Sequence, residues 1–285
     1  MTRYVALKLP SLKCDPNEGI LALLLFRANA PYAVEAYNFG CKKTVVRDFP
    51  PSLARGTPLW YLRAMPLSSS ICGVVLAAGF SSRMGRDKAL LPWPPVAEGT
   101  PVVNTFLGAT IDLLQAYSDL VIVVAGKNAP HITPVTYEHG AFLAVNREPE
   151  RGQFSSLQVG LREVLDRGRD AAFIALIDRP PALPGTVKIL RETFRYADPN
   201  VWTVVPEVKR GEQAVHGHPI LIGREMIEAF LRAPVTGNAR DVEHQYQEHV
   251  KYVPVDDPRL GVNIDTPEDY ARLSRTEMIS SEKEF

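Results

Sequence analysis

From residue 71 onward, short apolar runs of strand length alternate with stretches whose apolar residues recur at helical spacing. The predicted strands are Ile71–Leu76, Leu120–Val124, Ala141–Val145, Ala171–Ile177, Val201–Val205, Pro219–Ile222 and Tyr252–Val255. The predicted helices begin at Thr100-Pro101 and at Ser155 or Ser156, span Gly185–Tyr196, Arg224–Arg232 and Ala239–His249, and begin again at Thr266-Pro267. This alternation is typical of an α/β fold with a mostly parallel sheet and helices on both faces. Ligand sites in such folds form at the carboxyl ends of strands.

Composition excludes several classes of function. The formal net charge of the chain is zero, so we expect neither nucleic acid nor an anionic membrane surface as a partner. The longest apolar run in the first 64 residues, Ile20–Phe26, is far shorter than the ~20 residues that a membrane-spanning helix needs. The three cysteines lack metal-site spacing, and their odd number argues against a disulfide framework. A reducing, cytoplasmic setting is therefore expected.

Residues 1–64 differ from the remainder. They contain nine Lys or Arg and four Asp or Glu, and their apolar runs show no sustained period. A secretory signal is disfavoured because Asp15, Glu18 and Arg27 flank the apolar run. Two hypotheses remain for residues 1–64: a poorly ordered extension, or an over-called start upstream of Met65. The globular pattern occupies residues 65–285.

The stretch Val74–Trp93 carries the first chemical signal. It is an apolar run that breaks into small residues and glycine, and two cations, Arg83 and Lys88, follow. Exposed backbone N–H groups and fixed cations together can hold a polyphosphate. The stretch contains neither the Gly-x-x-x-x-Gly-Lys-Ser/Thr pattern of P-loops nor the Gly-x-Gly-x-x-Gly pattern of dinucleotide folds.

Two other strand ends carry polar groups. Asp178 follows the apolar run Ala171–Ile177, and Asn263-Ile264-Asp265 precedes the last predicted helix. Taken alone, Asp178 fits a turn before two prolines, Asp265 fits a helix cap, and the glycines after residue 76 fit a plain turn. Because strand ends in a parallel sheet meet at one edge, the three features together predict one site.

The whole set resembles a known family. Leu76-Ala77-Ala78-Gly79-x-Ser81-x-Arg83-Met84-Gly85-x-x-Lys88-x-Leu90 is similar to the signature loop of MobA-like nucleotidyltransferases. Gly99-Thr100-Pro101, Gly152-x-x-Ser155-Ser156-Leu157, Gly217-His218-Pro219 and Val262-Asn263-x-Asp265-Thr266-Pro267 resemble later segments of that family, in the same order. The resemblance covers roughly Ile71–Arg275. It implies a nucleotidyltransferase domain over residues 65–285, with a Rossmann-like fold of the nucleotide-diphospho-sugar transferase type.

The resemblance also implies roles for individual residues. The expected nucleotide-binding residues are Leu76, Ala77, Ala78, Gly79, Ser81, Arg83, Gly85, Lys88, Ser155 and Ser156. Arg83, Lys88 and Asp178 are the expected catalytic set, with Arg83 and Lys88 on the triphosphate. Asp178 is the expected ligand of Mg²⁺, and either Asn263 or Asp265 is the second ligand, with Asn263 favoured.

The chemistry of nucleotidyl transfer agrees with this composition. A phosphate nucleophile is already ionised, so it needs no general base when it attacks the α-phosphorus of an NTP. The protein has to position both substrates and neutralise charge. Such a site is expected to be poor in histidine and rich in backbone amides, cations and a carboxylate.

The identity of the substrates stays more open. Ala78 resembles the branch that uses CTP on molybdopterin, since the guanylyl-transferring branch usually has glycine there, and a methyl group favours a smaller base. Arg179 departs from that branch, which tends to carry glutamine at this position. The alternatives are a guanylyltransferase, a sugar-1-phosphate nucleotidyltransferase and a non-catalytic nucleotide-binding module. The sequence predicts no oligomeric state.

Overall fold

The structure is a computed structural model that describes residues 70–96, 100–211 and 213–273, together with four strands nearer the N-terminus. The chain divides into two units, Met1–Met65 and Pro66–Phe285. The remainder of the predicted 1–64 extension, Gly99 of the predicted helix opening, and the end of the family resemblance at Arg275 lie outside the described residues.

The first unit contains a four-stranded antiparallel sheet. Its strands are β1 (Tyr4–Leu7), β2 (Ile20–Leu25), β3 (Ala33–Asn38) and β4 (Lys42–Val46), and they pair in that order. Both hypotheses about residues 1–64 stay predictions.

The second unit is built on an eight-stranded mixed sheet. Its strands are β5 (Ile71–Leu76), β8 (Leu120–Ala125), β9 (Phe142–Val145), β10 (Ala171–Leu176), β11 (Thr203–Arg210), β12 (Gln213–His216), β13 (Ile220–Gly223) and β14 (Val250–Pro254). They pair in the order β12-β11-β13-β10-β5-β8-β9, and β14 also pairs with β11. A separate two-stranded ribbon joins β6 (Pro92–Trp93) to β7 (Asn104–Thr105).

Most neighbouring pairs in this sheet are parallel. The pairs β9-β8, β8-β5, β5-β10 and β11-β14 are parallel, whereas β13 runs antiparallel to both of its neighbours. Leu76 of β5 is level with Leu176 of β10 and with Val124 of β8. The three strands therefore end together, at one edge of the sheet.

Six helices lie between these strands: α1 (Phe106–Gln115), α2 (Ala129–Glu138), α3 (Gln153–Asp166), α4 (Pro184–Arg195), α5 (Arg224–Arg232) and α6 (Ala239–Gln245). Residues 267–273 are helical as well. All six residues of β5 are buried. Ile71 and Val75 pack into the core layer that includes α1 and α4, whereas Cys72, Val74 and Leu76 pack into the layer that includes α3 and α5. The predicted α/β fold with helices on both faces is confirmed.

One glycine sets how closely a helix approaches the sheet. A Cβ atom at Gly160 in α3 would lie 2.7 Å from Val74 Cγ1 and 2.9 Å from Val124 Cγ2. These distances are shorter than van der Waals contact, so only glycine allows α3 to lie this close to β5 and β8.

Two predicted helix starts are wrong. The first helix begins at Phe106 rather than at Thr100-Pro101, because β7 pairs with β6 and the Thr105 hydroxyl then caps the helix by accepting from Gly108 N at 3.0 Å. Val103, expected on the buried face, is 90% exposed. Helix α3 begins at Gln153, two residues before the predicted cap at Ser155, and Gly152 precedes it with φ +95°.

Several described elements were not predicted: the strands β1 to β4, the ribbon strands β6 and β7, helix α2 and strand β12. Helix α2 buries only Ile132 and Thr136, so its apolar face is too narrow to detect as a period. Strand β12 is polar and mostly exposed, and it is defined by its pairing with β11 rather than by its own composition.

Candidate active site

The candidate site lies where β5 and β10 end. The chain leaves β5 towards β8 and β9 on one side, then crosses to β10 on the other, so the strand order reverses at β5. A crevice at this reversal is where open α/β sheets bind ligands. The residues after β5, after β10 and after β14 supply its polar groups.

The loop after β5 is shaped by Ser81. This residue has φ +46°, in the left-handed region that is uncommon for serine, and its carbonyl accepts from Met84 N at 3.0 Å. Its hydroxyl accepts a hydrogen bond from Lys88 N at 3.2 Å. Gly85, with φ +73°, completes the reversal. Ser81 therefore folds the loop back towards the start of the short 3₁₀ turn Lys88–Leu90.

Asn128 and Asp87 hold this loop, and the sequence analysis missed both. The Asn128 side-chain amide donates to Ala77 O at 2.9 Å and to Asp87 Oδ2 at 2.7 Å, while its oxygen accepts from Gly126 N at 3.0 Å. Asp87 Oδ1 accepts from Ala89 N at 3.0 Å. Asn128 could have been suspected from its position alone, because it follows the end of β8 at the same edge of the sheet.

The two predicted cations meet a carboxylate from the other end of the domain. Lys88 Nζ donates to Asp265 Oδ1 at 2.7 Å, and Arg83 Nη2 lies 3.5 Å from the same oxygen. The hydrogen bond from Lys88 lowers the pKa of Asp265 below its ordinary value, and the charges of Lys88 and Arg83 act in the same direction. Lys88 is 8% exposed, whereas the Arg83 side chain is 72% exposed.

Asp178 and the closing segment are joined through their backbones. Ile264 N donates to Asp178 O at 2.8 Å, which sets Asn263 and Asp265 beside the end of β10. The Asn263 amide donates to Asp265 Oδ2. Asp178 Oδ1 is buried and accepts no hydrogen bond from any residue that the structure describes. A buried carboxylate oxygen without a partner is a candidate ligand for a cation.

Two adjoining clefts meet at Asp178. The smaller cleft, of about 260 Å³, is bounded by the loop after β5 and by the start of α3. The larger cleft, of about 760 Å³, lies between α3, α5, α6 and the strand β13. Four residues line both clefts: Leu76, Gly152, Gln153 and Asp178.

The smaller cleft brings together most of the predicted nucleotide residues. Its lining includes Leu76, Ala78, Gly79, Ser81, Lys88, Ser156 and Asp178. Ala77, Arg83, Gly85 and Ser155 are not part of that lining, although Ala77, Arg83 and Gly85 belong to the same loop. Ser155 is buried, and its hydroxyl donates to Gly152 O at 2.7 Å. The Asn146 amide, which the sequence analysis missed, donates to Ser155 Oγ and Ser156 Oγ at 2.9 Å each.

The larger cleft presents Arg179 and His218. Burial, together with the positive charge of Arg179, lowers the pKa of His218 to about 3, so its ring is neutral at physiological pH. Nδ1 of His218 lies 3.3 Å from Ile174 O. A carbonyl oxygen only accepts, so this hydrogen bond requires the proton on Nδ1 and leaves Nε2 as an acceptor.

Within the described ranges, no group of three or more His, Cys, Asp and Glu side chains could hold a metal ion. The side chains near the junction of the clefts whose oxygens could coordinate a metal ion are those of Asp178, Asp265 and Asn263. The helices that the structure describes include none long and apolar enough to cross a membrane.

The chain is similar to characterised and solved nucleotidyltransferases. Residues 73–250 match the MobA-like NTP transferase domain, which is more than half of the chain. A molybdenum cofactor guanylyltransferase from Xanthomonas euvesicatoria is 28% identical over 73% of this chain and 97% of that protein. The molybdenum cofactor cytidylyltransferase of Escherichia coli K12 is 23% identical over 71% of this chain and 94% of that protein.

Among solved structures, a nucleotidyl transferase from Methanothermobacter superposes with a TM-score of 0.58. It is 25% identical, over 74% of this chain and 99% of that one. This chain belongs to the MobA-like NTP transferase family, and it is a nucleotidyltransferase.

Proposed function

We propose that the chain transfers CMP from CTP to the phosphate group of a small acceptor, with molybdopterin favoured, and releases pyrophosphate. The observation that carries the proposal is the position of Asp178 at the junction of two clefts. One cleft is bounded by the loop that resembles a triphosphate cradle. The other has the volume and the polar groups to hold a second substrate. A transfer reaction needs both substrates to meet at one point.

The smaller cleft is the proposed nucleotide site. Lys88 lies in its lining as a compact positive charge, and Arg83 offers a guanidinium fork from the same loop. Their shared partner, Asp265, supports this assignment because it holds the two cations close to each other. The triphosphate would lie along this loop, with the base towards Gln153 and Ser156.

Mg²⁺ is proposed at the junction, held by Asp178 and Asn263. Asp178 Oδ1 is buried without a partner. Both oxygens of Asp265 are engaged, one by Lys88 and the other by Asn263, whose own amide oxygen has no hydrogen bond from the described residues. Asn263 is therefore favoured over Asp265 as the second ligand. When bound, Mg²⁺ would neutralise charge on the phosphates.

The proposed mechanism is in-line displacement. An acceptor phosphate oxygen forms a bond to the α-phosphorus, the bond from that phosphorus to the β-bridging oxygen breaks, and pyrophosphate leaves with the electron pair. The nucleophile is ionised, so no protein side chain has to remove a proton. His218 is neutral and hydrogen-bonded to Ile174 O. This mechanism assigns it no role as a base.

The choice of nucleotide rests on Ala78. This residue is buried and belongs to the lining of the smaller cleft. We propose that its methyl group narrows the space for a base. The chain resembles relatives named for both nucleotides, so a guanylyltransferase is the second candidate, favoured by its higher identity to the Xanthomonas protein. A sugar-1-phosphate nucleotidyltransferase is a third. A non-catalytic binding module is disfavoured because Lys88 and Asp178 are both present.

The test is pyrophosphate release from each of the four NTPs, with Mg²⁺, in the presence of molybdopterin or of a panel of sugar 1-phosphates. We expect turnover with CTP and molybdopterin. Preference for GTP would overturn the assignment from Ala78, and turnover only with a sugar phosphate would overturn the acceptor. Nucleotide binding without turnover with any acceptor would favour the binding module.

A further inference from the structure

The Arg179 side chain is a cation in the lining of the larger cleft. Its Nε is buried and has no hydrogen-bond partner, and within the described residues its guanidinium forms no ion pair. Arg179 as a whole is half-buried, but a buried N–H group without a partner is costly, because it loses its hydrogen bond to water. Such a group is expected to receive its partner from a ligand.

None of the described groups that line the cleft with Arg179 forms an ion pair with it. His218 lines the same cleft and interacts electrostatically with Arg179, but it is neutral and hydrogen-bonded to Ile174. Three carboxylates also line the cleft: Asp178, Asp241 and Glu243. None of them lies within ion-pair distance of Arg179, and Asp241 accepts from the Asn238 amide at 2.7 Å.

The other two arginines of the larger cleft each interact with a carboxylate. Arg151 forms an ion pair with Glu148 at 2.8 Å, so its charge is already partnered. Arg240 lies on α6 near Glu243, and its charge opposes the rise that burial causes in the pKa of that carboxyl. Arg179 alone among the three follows the junction residue Asp178 directly in the chain.

We propose that Arg179 binds the phosphate group of the acceptor and so selects phosphate monoesters as second substrates. This inference rests on the proposed function, which places the acceptor in the larger cleft. The planar guanidinium can hold two phosphate oxygens at once. The third oxygen is then directed to the α-phosphorus across Asp178. Arg179 is therefore a substrate-binding residue, and acceptors that lack a phosphate are excluded.

The first test measures binding and does not depend on turnover. The smaller cleft is filled with the α,β-methylene analogue of the preferred NTP, and inorganic phosphate is then titrated and followed by ³¹P NMR. Arg179→Gln should raise the dissociation constant for phosphate about tenfold or more, the loss expected for a charge-assisted hydrogen bond. Arg179→Lys should give an intermediate value, because it retains the charge without the fork. Arg191→Gln, which removes an exposed arginine from α4, is the matched control and should stay within about twofold.

The second test separates the acceptor from the nucleotide. In steady-state transfer to molybdopterin, Arg179→Gln should raise the acceptor KM about tenfold or more while the NTP KM stays within about twofold. Thermal unfolding of each variant confirms that it folds.

Different results would overturn the role of Arg179 and the proposed transfer reaction. If phosphate binds as tightly to Arg179→Gln as to the wild type, the role of Arg179 is overturned, whatever the transfer activity. If binding depends on Arg179 but no NTP is turned over with any acceptor, the proposed transfer reaction fails, and an anion site at Arg179 is retained.

Discussion

Lys88 Nζ lies 2.7 Å from Asp265 Oδ1, although 177 residues separate the two in the chain. The pair joins the loop after β5 to the segment that closes the domain. Lys88 is mostly buried, so its ammonium has few alternative positions, and Asp265 fixes it at the mouth of the smaller cleft. The proposed triphosphate site therefore depends on Asp265 as well as on the loop after β5.

The Lys88 pair leads to a prediction on catalysis. Lys88→Ala should lower kcat/KM for transfer by about 10²- to 10³-fold, because a preorganised charge on the phosphates is lost. The fold should persist, as judged by circular dichroism and by urea unfolding. Lys209→Ala, which removes an exposed lysine from β11, is the control. A wild-type rate in Lys88→Ala would remove this residue from the mechanism.

Asp257 leads to a prediction on stability. Its side chain is fully buried and accepts hydrogen bonds from Leu183 N, from Thr186 Oγ1 and from Arg259 N, at 2.7 to 3.0 Å. It thereby fixes the start of α4, just after Asp178 and Arg179.

Asp257→Ala should lower the free energy of unfolding by about 3 kcal/mol, because buried donors lose their acceptor. Urea denaturation measures the change. Asp256→Ala, at the exposed neighbouring position, should change it by less than about 0.5 kcal/mol. Equal effects of the two substitutions would refute the structural role of Asp257.

Asp269 leads to a prediction on pH. Its carboxylate accepts from Asp265 N at 3.0 Å and from Thr266 N at 2.9 Å, and these bonds lower its pKa from 3.8 to about 2. Because the folded-state pKa is depressed, the stabilisation is complete above about pH 4 and is lost as the pH falls through about 2.

Thermal midpoints of the wild type and of Asp269→Asn should therefore differ at pH 6 and converge towards pH 2. Glu268→Gln removes the same charge one residue earlier and serves as the control. A constant difference across this pH range would show that the charge of Asp269 is not the stabilising feature.

Ala78 leads to a prediction on nucleotide choice. Ala78→Gly should raise the ratio of kcat/KM for GTP to that for CTP on the order of tenfold, because one methyl group in a pocket discriminates at about that level. Ala77→Gly removes a methyl group that faces the core instead of the cleft, so it should leave the ratio unchanged. If Ala78→Gly also leaves the ratio unchanged, Ala78 does not determine the choice between CTP and GTP.

The sequence predicted the elements whose apolar faces are broad. Strand Ile71–Leu76 and helix Arg224–Arg232 were predicted to the residue, because burial on both faces or a wide apolar stripe leaves a clear period. The start of α1 could not be predicted, since it depends on the pairing of β6 with β7, two-residue strands that show no periodic pattern. Strand pairing, and not local helix propensity, sets the residue at which α1 begins.

The sequence indicated some residues of the candidate site and missed others. Lys88 and Asp178, which the family resemblance singles out, both line the smaller cleft, and their roles stay predictions. Asn128 and Asn146 were missed because an isolated asparagine after a strand has no distinctive local pattern. Their importance comes from contacts that only the fold creates, with Asp87 in one case and with Ser155 and Ser156 in the other. The Lys88–Asp265 contact was missed for the same reason.

The most direct test of the central claim follows the α-phosphorus. CTP labelled at the α-phosphate is incubated with molybdopterin, Mg²⁺ and either the wild type or Asp178→Ala. We predict that the wild type moves the label into the acceptor and releases one pyrophosphate for each label transferred, whereas Asp178→Ala retains its fold and moves none. Label that stays in free CMP independently of the acceptor, or equal transfer by Asp178→Ala, would contradict nucleotidyl transfer at this junction.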